Sequence, residues 1–177
     1  HLVVASRADF VAGYVGQTAI KTKKKVQDAL GGVLFIDEAY SLLSSSNSDY
    51  GKEVVNTLVD EMTKHNENLV IILAGYPDEM KALLSSNPGF SSRFKKFMHF
   101  PDYSTEELMQ IIENYARKYQ YILDQTAKDY LVEKLNLIEI DGNGRFAINL
   151  VDNAIQVQAV RLIEQTGEDL AAYDYST

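Results

Sequence analysis

Two runs of unbroken apolar residues, VLFI at 33–36 and LVIIL at 69–73, constrain this chain more than any other feature. A strand with one wet face alternates polar and apolar residues, and neither run does. Short continuous runs of this kind, separated by helical segments, read as parallel strands covered on both faces. The segment between them, KEVVNTLVDEMTKH at 52–65, places Val54, Val55, Leu58, Val59 and Met62 at helical spacing. Before the first run comes a helical stretch over about 18–30, and before that HLVVAS reads as a short strand at the very start. The Ser/Asn-rich SSSNSDYG at 44–51 reads as a loop, and KKFMHF at 95–100 as one more short strand ending at Pro101.

Beyond FPDY at 100–103 the pattern becomes all-helical. Ser104 and Glu107 fit a capping box opening a helix with Leu108, Ile111, Ile112 and Tyr115 on one face. Thr126 with Asp129 is expected to start a second helix carrying Tyr130, Leu131 and Leu135. IDGNGR at 140–145 reads as a turn. A third helix follows from about Phe146, with Leu150, Val151, Ala154 and Ile155 as its stripe, towards Glu164. The acidic tail DLAAYDYST reads as loose. The expected organisation is an α/β part over 1–101, a hinge near 100–103, and a small helical part over 102–177.

Composition narrows the chemistry by exclusion. With no cysteine, disulfides, thiolate metal sites and cysteine nucleophiles are out. His1, His65 and His99 lack the spacing of a zinc site. A net charge of −8 argues against a general nucleic-acid surface, and the lysines of KTKKK at 21–25 read as a solvated helix face. No apolar run approaches the roughly 20 residues of a membrane span, and the opening residues lack the form of a signal peptide. The expected location is the cytoplasm.

The first apolar run ends on two acids, Asp37 and Glu38. Desolvating a charge is costly, so carboxylates at a strand end have a partner, a metal or solvent. The C-terminal end of a parallel strand is also where open α/β sheets bind ligands. One acid there can hold Mg²⁺ through water, since the small hard cation keeps part of its hydration shell. A second can orient or deprotonate an attacking water. This is the Walker B pattern of a nucleoside triphosphatase, although an apolar strand running into a helix cap can read the same way.

The segments around it are more specific. GYVGQTAIKTK, GGVLFIDEAYSL, SDYGKEVVNTLVDEM, VIILAGYPDEM, NPGFSSRFKKFMHFPDYS and GNGR occur in this order. Together they resemble the AAA+ ATPases, within the branch of red-type Rubisco activase and stage V sporulation protein K. The resemblance covers nearly the whole chain. It implies a parallel-sheet nucleotide-binding domain followed by an α-helical lid, a hexameric ring, ATP and Mg²⁺ as ligands, and a protein substrate that the ring remodels. Asp37 would be the Mg²⁺ acid and Glu38 the catalytic base. Arg93, in GFSSRF, would be the arginine finger reaching the neighbouring subunit's nucleotide; by itself it reads as a surface salt bridge. Arg145, in GNGR, would be sensor 2, against an exposed arginine at a helix N-terminus, where the dipole disfavours it. Tyr14, in YVG between Gly13 and Gly16, would be the pore-loop aromatic that grips a threaded polypeptide, against a partly buried turn tyrosine.

Two departures from the family pattern stand out. None of the ten glycines opens a G-x-x-x-x-G-K-[ST] match, so the cradle and lysine that hold the β- and γ-phosphates are not in these 177 residues. The expectation is an AAA+ core lacking its P-loop portion, inactive by itself and with unpaired strand edges. Many AAA+ proteins also carry a polar sensor 1 residue where this chain has LAGYPD; Gly75 and Tyr76 occupy that region and no sensor 1 is assigned. A non-hydrolysing scaffold of the same fold is the competing function, although it has no need of Asp37, Glu38, Arg93 and Arg145 together. A DNA-handling relative of the clamp-loader kind is a third, disfavoured by the acidic balance. The substrate, whether Rubisco, a sporulation factor or another protein, is not written in the sequence.

Overall fold

The structure is a computed structural model describing residues 1–13, 16–43, 48–138, 140 and 142–166. The chain divides into two compact units, His1–Met98 and His99–Thr177.

In the first unit three parallel strands, β1 (Leu2–Ala5), β2 (Gly32–Ile36) and β3 (Leu69–Leu73), lie in the order β1-β2-β3. The register sets Val3 beside Leu34 and Leu34 beside Ile71, and sets Ala5, Ile36 and Leu73 in the next rung but one. These residues face the core, where Leu34 and Ile36 are completely buried with Phe10, Val26, Val54, Val55, Leu58, Leu83 and Phe90. They come from α1 (Arg7–Phe10), α2 (Gln17–Asp28), α3 (Ser48–Lys64), α4 (Pro77–Ser85) and α5 (Pro88–Ser91). A 3-10 turn, Ala39–Leu43, follows β2 and buries Ala39 and Leu42.

The opposite face of the sheet departs from expectation. Side chains alternate along a strand, so Leu2, Val33 and Val70 form one rung of that face and Val4, Phe35 and Ile72 another. Leu2 and Val4 are about 60% exposed and Val70 is 55% exposed. The apolar runs therefore signal one packed face and one that is open among the described residues. The expected strand at 95–100 is also absent: residues 94–104 carry no regular structure, with Phe97, Met98 and Phe100 exposed. A strand has to have a partner edge, and this segment pairs with none in the described sheet.

Helix boundaries follow local chemistry. Residues 48–51, expected as loop, form the first turn of α3, while 44–47 lie outside the described residues. Helix α4 escaped the sequence reading although Pro77 stands in its first turn with Asp78 and Glu79, both favourable at a helix start. The lysines of KTKKK are not simply solvated. Lys21 Nζ donates to the carbonyls of Ala8 and Val11 at the end of α1, and Lys25 pairs with Asp9 at 2.9 Å.

The second unit holds α6 (Thr105–Lys118), α7 (Gln125–Leu135) and α8 (Asn143–Thr166) around Leu108, Met109, Ile112, Ala116, Leu135, Ala147 and Val151. The capping box at α6 forms as expected: Ser104 N donates to Glu107 Oε2 at 2.8 Å and Glu107 N to Ser104 Oγ at 3.3 Å. At α7 the cap is Asp124, whose Oδ1 accepts from Ala127 N at 2.7 Å; the Thr126 start was two residues late. Tyr130 is exposed with Lys134 Nζ 5.2 Å from its ring centre, leaving Leu131 and Leu135 as the packed side. Ala154 of α8 is likewise exposed. The acidic tail lies outside the described residues.

The two sheet faces predict opposite sensitivities. In urea denaturation of the 177-residue chain, Leu34→Ala is expected to cost about 3 kcal/mol, and Val70→Ala under about 1 kcal/mol. The pairing of Asp9 gives a second test. Its carboxyl is lowered from 3.8 to about 2, first by the Ser6 backbone N–H at 2.9 Å and then by Lys25. A folded value below the unfolded one means the contribution is full above about pH 4 and fades as pH falls through 2. Asp9→Asn is expected to cost about 0.5–1 kcal/mol at pH 7 after solvent screening, with the difference from the parent shrinking as pH drops from 4 towards 2.

Candidate functional site

Asp37 and Glu38 form the turn immediately after β2, and both are exposed. Neither carboxylate carries the penalty of burial. The turn itself is held from both sides. Asp37 N donates to Ala5 O at the end of β1 (3.0 Å), Ala74 N beyond β3 donates to Ile36 O (3.0 Å), and Ala39 N donates to Ala74 O (2.9 Å). These bonds fix the direction in which the chain leaves the sheet. Asp37 Oδ1 also accepts from Glu38 N at 3.0 Å.

Glu38 has φ of 45°, in the left-handed region. A residue with a Cβ costs roughly 1–2 kcal/mol there, and such strain persists only where the surroundings over-determine it. Here the next N–H, that of Ala39, is claimed by Ala74 and the Glu38 carbonyl accepts from Ser41 N at 2.8 Å. The result sets the two acids on successive residues of a rigid turn at the C-terminal edge of the sheet.

Tyr40, not singled out in the sequence, builds the wall beside them together with Tyr76 and Gly75. The Tyr40 ring lies 6.0 Å from that of Tyr76, tilted by 44°. Its hydroxyl pKa is pushed up from 10.0, first by partial burial and next by the Glu38 carboxylate. A Cβ on Gly75 would stand 2.7 Å from Tyr40 Cδ1 and 2.8 Å from Met80 Sδ. Any side chain at position 75 would have to displace the Tyr40 ring and Met80. Tyr40 carries no sequence signal beyond its place near the acids.

The remaining candidate residues lie elsewhere. Arg93 stands on the turn after α5, half-buried, donating from Nη1 to Gly89 O at 2.6 Å and from Nη2 to Thr63 Oγ1 at 2.5 Å. It forms no surface salt bridge among the described residues. Arg145 belongs to the second unit, in the first turn of α8, exposed. It lines a groove of about 200 Å³ with Gly142, Phe146, Asn149, Leu150 and Asn153. The GNGR turn is built for this entry: Gly142 takes φ of 86°, and Asn143 takes 50°. Asn143 accepts from Tyr103 N at 3.0 Å and donates to Asp102 Oδ1 at 2.8 Å. Tyr14 lies outside the described residues.

Hard, exposed oxygen donors suit Mg²⁺ bound mostly through water, and the Asp37–Glu38 turn supplies such donors. Among the described residues no group of three or more acids or histidines forms a ready cage for a bare cation. A metal here would need further ligands from water and from an anionic ligand.

Sequence comparisons show the family. Residues 1–102 match the family model described as ATPase family associated with various cellular activities (AAA), and residues 104–177 match the AAA lid domain. Stage V sporulation protein K of Bacillus subtilis is 45% identical over 92% of this chain and 52% of that protein. The chloroplastic cbbX homolog of Guillardia theta is 42% identical over 93% of this chain and 46% of that protein. The chloroplastic ribulose bisphosphate carboxylase/oxygenase activase of Cyanidioschyzon merolae is 38% identical over the whole chain and 62% of that protein. The chain thus spans about half the length of the curated relatives it matches. The crystal structure of the FIGL-1 AAA domain superposes with a TM-score of 0.65 over 97% of this chain and 55% of that one, at 19% identity, a likeness of fold alone. This chain belongs to the AAA family of ATPases, in the branch of stage V sporulation protein K and red-type Rubisco activase, and joins an AAA α/β part to an AAA lid.

Proposed function

We propose that this chain is the greater part of an ATPase module in a hexameric, cytoplasmic protein-remodelling machine. The observation that carries the reading is the turn after β2, where Asp37 and a left-handed Glu38 are fixed at the C-terminal edge of a parallel sheet. In the protein at natural length, bound Mg²⁺·ATP supplies the electrophilic phosphorus and its charge neutralisation. Asp37 would hold the hydrated cation through its exposed carboxylate. Glu38 would accept the proton of the attacking water from the next position of the same fixed turn.

Arg93 acts across the ring, placing guanidinium charge beside the transferring group on the adjacent subunit. Arg145 brings the lid onto the nucleotide, with the α/β part and lid meeting at 101/102, and Tyr14 grips the protein substrate in the central pore. The division of labour is supported by the family match, by the exposure of both acids and of Arg145, and by the absence of an opposite-charge partner for Arg93 among the described residues. Among the described residues no helix is long and apolar enough to cross a membrane.

Without a G-x-x-x-x-G-K-[ST] match, the 177-residue chain is proposed to be inactive as it stands: calorimetric titration with Mg²⁺·ATP is expected to give no tight binding. Steady-state turnover by the natural-length protein tests the reading itself. Binding by both the parent and Glu38→Gln, with turnover lost only in the variant by about 10²-fold or more, supports an ATPase. No binding by either would make the protein a scaffold.

A further inference from the structure

The turn that carries Arg93 is fastened to α3 at two points. Asn87 caps α5, accepting from Gly89 N at 2.7 Å and Phe90 N at 3.1 Å, and its amide also donates to Asn56 Oδ1 of α3 at 2.8 Å. Two helical turns further along α3, Thr63 Oγ1 accepts from Arg93 Nη2. Residues seven apart in a helix lie on the same face, so one stripe of α3 meets both ends of the α5 turn.

Burial alone would dock this segment. Phe90 is completely buried and meets Phe94 edge-on, ring centres 5.0 Å apart. The contact between Thr63 and Arg93 adds little to that packing, because Thr63 is exposed. Its effect is on direction. The Thr63 hydroxyl donates to Val59 O at 2.9 Å, one turn back on α3. That bond commits the hydroxyl proton and selects among the few χ1 rotamers of a β-branched residue. The oxygen's remaining lone pairs are thereby turned outward, and a guanidinium N–H meets one of them. With Nη1 on Gly89 O as well, the long arginine side chain is held by both terminal nitrogens, while other N–H groups of the fork remain for an anion.

We infer that Thr63 is a positioning residue for Arg93: its back-bonded hydroxyl aims the guanidinium that is delivered to the neighbouring subunit. The inference rests on the reading of Arg93 given under Proposed function. Thr63 touches no nucleotide and acts through the arginine alone. A misdirected finger loses its effect on the transition state while ATP binding is untouched, so the consequence falls on kcat.

The test is steady-state ATP turnover by the natural-length protein as the parent, Thr63→Val, Thr63→Ser, Arg93→Ala and the Thr63→Val/Arg93→Ala double variant. Thermal midpoint and assembly size are followed for each. Thr63→Val is expected to lower kcat by about fivefold, the scale of one ordinary exposed hydrogen bond, with KM for ATP, midpoint and assembly size unchanged. Thr63→Ser restores the hydroxyl and is expected to restore kcat. In the Arg93→Ala background Thr63→Val is expected to add no further loss. An unchanged kcat in Thr63→Val beside a clear fall in Arg93→Ala would overturn the role of Thr63 and leave that of Arg93 standing. Equal losses in both backgrounds, or a shift in KM, midpoint or assembly size, would make Thr63 merely structural and overturn the inference. An unchanged kcat in Arg93→Ala would remove the reading of Arg93 and the role of Thr63 together.

Discussion

The pairing of β2 on both sides is the constraint from which the first unit follows. Each of its residues has a parallel neighbour on β3, and four have one on β1 as well. With Leu34 and Ile36 sealed in the core, the strand can neither slip nor tilt without breaking a ladder on each flank, since a one-residue slip turns every side chain to the other face. The hydrogen bonds continue past the strand, through Asp37 N to Ala5 O and Ala74 N to Ile36 O. The acids thus inherit the rigidity of the sheet while standing outside it in water. That combination, a fixed backbone with solvated carboxylates, is what a hydrated divalent cation and an attacking water require.

The same pleat separates the two faces of the sheet. Along β3 exposure alternates, with Val70 and Ile72 outward and Ile71 and Leu73 packed against the helices. An unbroken apolar run gives no sign of this difference, because both faces carry Val, Ile or Leu. Hydrophobicity measures what a face can bury, and only the placement of the helices decides what is buried against it. The exposed Phe97, Met98 and Phe100 have the same explanation: an apolar segment becomes a strand only beside an edge that can pair with it.

Legibility differed from element to element for identifiable reasons. The cores of α3 and α6 were readable from periodicity, and the Ser104–Glu107 box from its three-residue spacing. Helix α7 was placed late because Thr126 and Asp129 imitate a box, whereas the actual cap, Asp124, acts through a single carboxylate on Ala127 N. Helices α4 and α5 each begin with Pro, and Asn87 before Pro88 is a start signal that went unread. At the site, Asp37 and Glu38 stood out as adjacent acids at a strand end. Tyr40 and Thr63 did not, since their parts depend on residues 30 or more positions away: Tyr40 on Tyr76, and Thr63 on Arg93.

By itself the sequence determined the class of the fold, the three strands with the longer helices between and after them, and the residue types available for the chemistry. These are carried by local pattern, the short unbroken apolar runs of the strands and the 3.6-residue period of the helices, which need no knowledge of distant neighbours. The tertiary structure alone decided which face of the sheet is covered, that Glu38 sits in a left-handed turn, that Gly75 leaves room for Tyr40, and that Arg93 donates to Thr63. Each of these is a contact between segments far apart in the chain. A one-dimensional pattern records what such residues are able to do, and only the folded backbone brings the partners within hydrogen-bonding or van der Waals reach.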